Sequence, residues 1–326
     1  MPQFLAEETH PSASVIMKKE PCNMPLKPLP EPDSWLARFK GFVSGLIASA
    51  FLFSTLIGFN VLQTLSLVIK IFSPKAFRRL NQRMARIWWG WCALGAEKVY
   101  RTKWIMSGDD VPMQENAIVV LNHQEMADIT VVFSFARAKG RVGDLKWFVK
   151  DILKYVPGVG WGMLFLDCPF IKRDWTADKD YIHNVFRNLL DYNVPVWLMT
   201  FAEGTRVRPA KIARSREYAE KQGMKPLEHV LIPRTKGFVA SVQSLRGHVD
   251  AVYDLTIGYV GGVPTLWQWI KGYVREVHMD VRRYAIDVMP EDGELLSDWL
   301  MKRFEEKDRR LDSFYRDGAF PANQGT

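Results

Sequence analysis

The sequence predicts an α/β protein whose mostly parallel sheet is flanked by helices, preceded by an N-terminal membrane helix or helical hairpin. Two observations lead to this prediction. Short apolar runs rich in β-branched residues alternate with stretches of helical periodicity, which is typical of parallel strands joined by helices. Near the N-terminus, the 29 residues from 41 to 69 include no charged side chain, and such a run is long enough to cross a bilayer.

Five segments follow from this pattern. A disordered tail is expected at 1–40, because its first 34 positions combine Pro, Ser, Lys and Glu without a hydrophobic period. The other four are a membrane segment at 41–72, an interfacial amphipathic helix at 73–100, the main α/β domain at 101–292, and a C-terminal amphipathic helix and tail at 293–326.

The membrane segment can take two forms. As a helix, its uncharged stretch would measure roughly 44 Å against a hydrocarbon core of about 30 Å. It therefore either spans the bilayer with tilt or bends near Gly58 and re-enters. If it spans, the basic residues that follow it, from Lys70 to Arg86, place the main domain in the cytosol. The segment 73–100 mixes Trp and Arg, which favours the headgroup level; a helix packed on the main domain is the alternative.

The main domain is predicted from strand-like and helix-like runs. Strands are predicted at Ala117–Leu121, Leu145–Val149, Val194–Phe201, Val249–Tyr259 and Glu276–Pro290. One helix is predicted at Ile129–Ala138, with Ile129, Val132, Phe133 and Ala136 facing inward. Another is predicted at Thr176–Tyr192, with Thr176 as the N-cap and Ile182, Val185, Phe186, Leu189 and Leu190 on the inner face. A last helix, Leu295–Tyr315, is expected to present a dense, solvated charged face.

Composition narrows the function classes. The net charge of +8 favours an anionic partner, either a membrane surface or a phosphate-bearing substrate. Nucleic acid is not expected, because the chain has no zinc-ligand spacing, no RNP-like motif and no long Lys/Arg run. The three cysteines are widely spaced, so neither a disulfide framework nor a metal site is predicted. Serine-elbow, phosphate-loop and zinc-protease motifs are also absent from the sequence.

The candidate catalytic pair is His123 and Asp128. His123 follows the predicted strand Ala117–Leu121, and a carboxylate five positions later can orient a histidine base. On one continuous helix these positions would diverge by roughly 140°. The two side chains can therefore meet only if His123 lies in the strand-to-helix turn and Asp128 in the opening of the next helix.

Three further stretches end predicted strands or turns. Phe170–Arg173 projects two cations, Lys172 and Arg173. Phe201–Arg206 follows the most apolar strand; Gly204 permits close backbone approach to a ligand, and Glu203 and Arg206 can share one face of a turn that includes Thr205. Val230–Phe238 is an apolar strand that Pro233 turns into a cationic helix start, which favours anions. Together the stretches could place a base and several phosphate-binding cations at one sheet edge.

These four stretches, in this order and spacing, resemble the four motifs of the glycerolipid acyltransferase family, the lysophosphatidic acid acyltransferases. The motifs there are N-H-x4-D, F-x-x-R, F-P-E-G-T-R and an apolar strand ending in Pro. The resemblance spans roughly residues 85–320. Within the family, Pro233–Phe238 and Glu305–Asp308 look most like the lysocardiolipin and lysophosphatidylinositol acyltransferase branch. One departure is Ala202, where the family usually has Pro.

The resemblance implies the fold of that family and transfer of a fatty acyl group from acyl-CoA to the free hydroxyl of a lysophospholipid. It implies His123 as general base and Asp128 as its orienting partner. By the same resemblance, Arg173 and Arg206, with Lys172 nearby, would hold the acceptor phosphate, Glu203 would help to position the site, and Pro233 would shape the apolar wall. No cofactor is implied, since acyl-CoA acts as a co-substrate, and the expected setting is a bilayer.

Three matters stay open at this point. The acceptor could be 1-acylglycerol-3-phosphate, lysophosphatidylinositol or lysocardiolipin. An inactive membrane-anchored lipid-binding protein and an acyl-CoA thioesterase are the alternative functions. The sequence does not indicate the oligomeric state, and the membrane would be the endoplasmic reticulum in a eukaryote or the inner membrane in a bacterium.

Overall fold

The computed structural model describes residues 27–172 and 174–321. Its α-helices are α1 (Trp35–Leu65), α2 (Leu67–Phe72), α3 (Pro74–Leu94), α4 (Ala127–Ala138), α5 (Val159–Phe165), α6 (Trp175–Asp191), α7 (Pro209–Lys221), α8 (Thr235–Leu245), α9 (Leu266–Ile270) and α10 (Gly293–Asp317). Its strands are β1 (Lys103–Gly108), β2 (Ala117–Leu121), β3 (Leu145–Trp147), β4 (Val149–Lys150), β5 (Phe170–Ile171), β6 (Trp197–Thr200), β7 (Ala251–Tyr259) and β8 (Glu276–Ala285).

Six of these strands form the main sheet, in the order β1-β8-β7-β2-β6-β3. Neighbouring strands are parallel except β7 and β8, which pair antiparallel. The prediction of a mostly parallel sheet flanked by helices is therefore confirmed. β1 was not predicted, because this edge strand is at most partly buried along its length and its apolar run, Trp104–Met106, is only three residues long.

Strand β2 lies near the centre of the sheet and contributes side chains to two hydrophobic cores, one on each face of the sheet. Ile118 and Val120 pack into the core beneath α6, α8 and α10, while Ala117, Val119 and Leu121 pack into the core beneath α3 and α4. All five residues are buried. Because helices cover both faces, this strand has no polar alternation and appears in the sequence as a continuous apolar run.

Helix α6 differs in detail from its prediction. Its N-cap is Asp174, whose side chain accepts a hydrogen bond from the Thr176 N–H at 3.0 Å, so Thr176 lies inside the first turn. Ile182 and Phe186 are buried as expected, but Leu190 is exposed. The predicted inner face was therefore one residue too wide.

The N-terminal helices form a hairpin. Helix α1 continues through Gly58 without a break, so the alternative of a bend at this position was wrong. Helices α1 and α3 run antiparallel: the Asn81 amide donates to Ser66 Oγ at 3.1 Å near the turn, and the Trp88 indole donates to the Leu52 carbonyl at 3.3 Å further along. Buried residues of α3 also pack into the main core, as the alternative for this segment predicted.

The described chain has one stretch, Trp35–Phe72, that is long and apolar enough to cross a membrane. Only 6% of its most apolar window is buried inside the protein. The predicted tail 1–40 was partly wrong, because α1 already begins at Trp35 and the Leu29 N–H donates to the Val263 carbonyl at 3.0 Å. Residues 1–26 lie outside the described part of the chain.

The expectation that the charged face of helix α10 is fully solvated was wrong. The helix packs against α8 and β7, and Lys307 and Arg310 are buried among its charged residues. Lys307 Nζ lies 2.5 Å from Asp254 Oδ1, and Arg310 Nη1 lies 2.7 Å from Asp280 Oδ1. The charges lie inside the fold because acidic residues on β7 and β8 neutralise them.

Candidate active site

The site begins where β2 ends, at Asn122. Its side-chain amide donates to the Ile257 carbonyl at 3.0 Å and accepts from the Ile257 N–H at 2.8 Å. The amide thus imitates one more peptide unit and extends the β2–β7 pairing by side-chain hydrogen bonds. His123 is consequently held where the chain leaves the sheet at the carboxyl ends of parallel strands, the usual ligand position in open α/β sheets.

His123 and Asp128 meet as their spacing predicts. Asp128 lies in the first turn of α4, and its Oδ2 is 3.0 Å from His123 Nδ1. The same oxygen accepts the backbone N–H groups of Gln124 at 2.7 Å and Glu125 at 2.9 Å. The turn and the orientation of the imidazole are therefore fixed by one buried carboxylate.

The contact with Asp128 also determines which ring nitrogen of His123 can act. In the neutral imidazole, Nδ1 carries the proton that faces the carboxylate, so Nε2 has a free lone pair. The Phe201 ring lies against the imidazole, with ring centroids 4.1 Å apart, and limits its rotation. His123 lines the cavity described below, so a substrate hydroxyl could reach Nε2.

Glu203 connects three chain segments. Its Oε1 accepts the His123 N–H at 2.9 Å and its Oε2 accepts the Leu231 N–H at 3.4 Å. The side chain is buried, and burial together with the nearby Asp128 charge raises the pKa of Glu203 well above its usual range, against the opposing effect of these N–H groups and Lys307. Glu203 therefore acts on the position of His123 through the backbone.

The turn after Glu203 needs glycine. Gly204 has φ +68°, which a residue with a side chain rarely adopts, and the Arg234 side chain lies directly over it. Thr205 Oγ1 contacts Lys211 Nζ. Further on, the Val207 N–H donates to the His123 carbonyl at 2.7 Å, so this loop folds back onto the turn that holds His123.

Arg206 does not pair with Glu203, which corrects the expectation of a shared face. It pairs instead with Glu125, as does Arg208. Burial alone would raise the pKa of Glu125, but the Met126 amide and the two guanidinium groups hold it below its usual range. The arginine side chains remain 43% and 40% exposed, so they keep donors for an anionic ligand. Sequence reasoning missed Glu125 and Arg208, since no local spacing links them to Arg206.

The remaining predicted site residues lie at different places. Pro233 is buried and lines the cavity, consistent with a wall position. Lys172 is exposed in the turn after β5 and is not among the cavity-lining residues, although its N–H donates to Asp178 Oδ1 at 2.9 Å. Arg173 lies outside the described residues. The roles of all the predicted site residues stay predictions.

An open cavity of about 2650 Å³ adjoins His123. Its polar wall includes Arg206, Arg208 and Arg234, and its apolar wall comes largely from α1 and α3, including Leu52 and Trp88. The arrangement thus combines a histidine, several cations and an apolar wall from helices α1 and α3. It can bind an amphipathic anion and remove a proton from it.

Comparison with known proteins agrees with this geometry. A family model described as Acyltransferase matches residues 103–260, and one described as Acyltransferase C-terminus matches residues 268–326. The probable 1-acyl-sn-glycerol-3-phosphate acyltransferase 5 of Arabidopsis thaliana is 32% identical over 93% of this chain and 81% of its own length. The human 1-acyl-sn-glycerol-3-phosphate acyltransferase gamma is 34% identical over 86% of this chain and 75% of its own.

The lysocardiolipin acyltransferase 1 of Gallus gallus is also similar, at 33% identity over 77% of this chain and 68% of its own length. The two family models together extend over the sheet and α10, and the relatives extend over most of both chains. The resemblance found in the four motifs is therefore confirmed. The chain belongs to the glycerolipid acyltransferase family and is an enzyme of the 1-acylglycerol-3-phosphate O-acyltransferase type.

Proposed function

We propose that this enzyme transfers a fatty acyl group from acyl-CoA to the free hydroxyl of a membrane lysophospholipid. The acceptor class comprises 1-acylglycerol-3-phosphate, lysophosphatidylinositol and lysocardiolipin. The observation that carries the proposal is the buried His123–Asp128 pair, whose Nδ1 to Oδ2 distance is 3.0 Å, next to a cavity with a cationic wall and an apolar wall.

The proton balance follows from this geometry. Nε2 of His123 takes the proton of the acceptor hydroxyl while the hydroxyl oxygen attacks the thioester carbonyl carbon. The resulting imidazolium is stabilised by Asp128. The tetrahedral intermediate collapses, the carbon–sulfur bond breaks, and the CoA thiolate leaves with the proton that His123 returns. No step requires a protein nucleophile, so a direct transfer without an acyl-enzyme is expected.

The cationic wall suits the phosphate of the acceptor. Arg206 and Arg208 are held in place by Glu125 while their exposed donors face the cavity, and planar guanidinium groups match phosphate oxygens well. Arg234 lies over Gly204 on the same wall and forms no ion pair within the described residues. Lys172 and Arg173 are proposed as outer contacts to the same headgroup.

A membrane location fits both substrates. The apolar hairpin leaves the outward face of α1 uncovered, and the product and the donor both carry long acyl chains. The basic residues between Lys70 and Arg86 support a cytosolic main domain. One of them, Arg78, also forms a 2.7 Å ion pair with Asp167 and so fixes the hairpin to the domain.

The test is free-thiol release from oleoyl-CoA by detergent-solubilised protein, with and without a panel of lysolipids. Wild type is compared with His123→Ala and with His183→Ala, a matched control whose exposed histidine lies outside the site. We expect acceptor-dependent release that falls ~10²–10⁴-fold in His123→Ala and is unchanged in His183→Ala.

The other outcomes of this assay would contradict the proposed activity or its mechanism. Release without any acceptor would indicate a thioesterase, and lipid binding without release would indicate an inactive lipid-binding protein. Thiol release that depends neither on the acceptor nor on His123 would overturn the proposed mechanism. Among active outcomes, the lysolipid that gives the highest kcat/KM identifies the headgroup.

A further inference from the structure

The second carboxylate oxygen of Asp128 has its own partner, Tyr259. The tyrosine hydroxyl lies 2.6 Å from Asp128 Oδ1, while Oδ2 receives His123 Nδ1 and the two backbone N–H groups of the turn. Tyr259 is 3% exposed and is the last residue of β7, 131 positions from Asp128 along the chain. Both oxygens of the carboxylate are thus occupied, each by donors of a different segment.

The position of Tyr259 is fixed by strand pairing. Leu255 pairs with Leu121 in the β2–β7 ladder, and the amide of Asn122 binds both backbone groups of Ile257. Tyr259 follows two residues later, on the same side of the strand as Ile257. On the other edge it pairs with Val277 of β8. The backbone that carries the hydroxyl is therefore fixed relative to the turn that holds His123 by the central ladder.

Within this contact Tyr259 can act only as a donor. An ionised carboxylate has no proton to give, and burial together with the Asp128 charge raises the pKa of Tyr259 well above its ordinary value. The hydroxyl proton therefore stays on the tyrosine at neutral pH. Oδ1 is held by a permanent hydrogen bond, and the plane of the carboxylate is set.

We propose that Tyr259 is a positioning residue for acyl transfer, which holds the Asp128 carboxylate so that Oδ2 faces Nδ1 of His123. Only the kinetic consequence of this inference rests on the proposed function. Without the hydroxyl, Oδ1 becomes a buried acceptor with no donor, and the carboxylate can turn away from the imidazole. The imidazolium that forms during transfer then loses part of its stabilisation by the carboxylate.

Other charged groups around the pair remain unchanged by a Tyr259 substitution. Glu125 stays paired with its two arginines on the same turn, and Glu203 stays bonded to the His123 N–H from the β6 side. From α10, Lys307 acts on Glu203 and Tyr315 binds the Gln124 amide at 2.7 Å. A shift in the pH profile of Tyr259→Phe can therefore be assigned to the lost hydroxyl.

The experiment compares Tyr259→Phe with Tyr253→Phe. Tyr253 lies on the same strand, is equally buried and also donates to a carboxylate, but its acceptor is Glu115 and not Asp128. We expect Tyr259→Phe to lower kcat about tenfold at neutral pH with KM within about twofold, in the range of a lost hydrogen bond to a charged group. The acid limb of kcat/KM should move to lower pH, because the imidazolium is less stabilised by a carboxylate that has turned away. Tyr253→Phe should lose similar stability and keep wild-type kinetics.

A second measurement needs no turnover. The rate at which diethyl pyrocarbonate modifies His123, followed by peptide mass spectrometry, reports the neutral imidazole and should rise at lower pH in Tyr259→Phe than in wild type. This shift would support the proposal even if wild type transferred no acyl group, in which case the proposed function alone would fail. If modification had the same pH dependence in Tyr259→Phe, Tyr253→Phe and wild type, the positioning role of Tyr259 would be overturned.

A double-mutant cycle separates an effect that acts through Asp128 from a general loss of folded protein in Tyr259→Phe. If Tyr259 acts through Asp128, its substitution should change kcat little once Asp128→Asn is present, because the oriented carboxylate is already lost. Equal fold losses in the two backgrounds would show that the hydroxyl acts elsewhere and would overturn the proposal.

Discussion

Replacing Asp128 with Asn tests the carboxylate that orients His123. Asn keeps one oxygen that can accept from Nδ1 and from the two backbone N–H groups now bound to Oδ2. Its Nδ2 would face the Tyr259 hydroxyl, which can turn to accept. The variant should therefore fold and keep the imidazole in place while it removes the negative charge beside it.

The lost charge sets the size of the effect. The centres of an imidazolium and a carboxylate in contact are about 4 Å apart, and at an effective dielectric constant near 20 this attraction is worth ~4 kcal/mol. Because the imidazolium exists only when the base has taken its proton, the loss falls on the transition state and corresponds to ~10³-fold in rate. We expect kcat to fall by about this factor and KM to change little.

The assay is acceptor-dependent thiol release by wild type, Asp128→Asn and the control Asp144→Asn. Asp144 is a buried carboxylate of the main domain that pairs with Arg141 at 3.1 Å and does not line the cavity. Its substitution should lower stability without a comparable loss of kcat. If Asp128→Asn kept kcat within tenfold of wild type while remaining folded, the charge of Asp128 would not stabilise the transition state and the reasoning would fail.

Two further predictions concern stability. The pKa of Glu203 is raised, so ionisation of this side chain lowers the stability of the protein as pH rises. At pH 8, Glu203→Gln should therefore unfold at the same or a higher temperature than wild type. Glu203→Ala should be less stable by roughly 1–3 kcal/mol, because the His123 N–H loses its acceptor; a more stable Ala variant would contradict this. For Asp254, burial alone would raise the pKa, but Lys307 and Arg310 hold it below its usual value. Its stabilisation is therefore present above the unfolded pKa of about 3.9 and is lost as pH falls through the lower folded value. Chemical unfolding at neutral pH should show Asp254→Asn destabilised by roughly 3–5 kcal/mol, with a smaller loss of stability below pH ~4 than wild type shows; an unchanged acid response would contradict the pairing.

Local sequence patterns were enough for the elements with strong periodicity. The apolar run of β2, the helix after it and the long apolar helix near the N-terminus could be predicted, because burial on two faces, or an apolar surface long enough for a bilayer, leaves a continuous apolar signal. The meeting of His123 with Asp128 could also be predicted, since a separation of five residues permits contact only across a strand-to-helix turn. The short edge strand β1 left no such signal.

Contacts between distant residues could not be predicted from the sequence. Tyr259 on Asp128, the pairing of Arg206 and Arg208 with Glu125, and Lys307 on Asp254 each join residues 53 or more positions apart. The charged residues of α10 look like a solvated face because helical periodicity records which side of a helix is polar, not what lies opposite it.

The sequence by itself therefore determined the fold class, the long apolar helix near the N-terminus and the contact of His123 with Asp128, all of which depend on neighbours within a turn or on the apolar character of one segment. Only the tertiary structure decided which oxygen of Asp128 faces His123, which cations face the cavity and which are buried. Those outcomes depend on the register between β2, β6 and β7, and register is set by the packing of whole elements on the core.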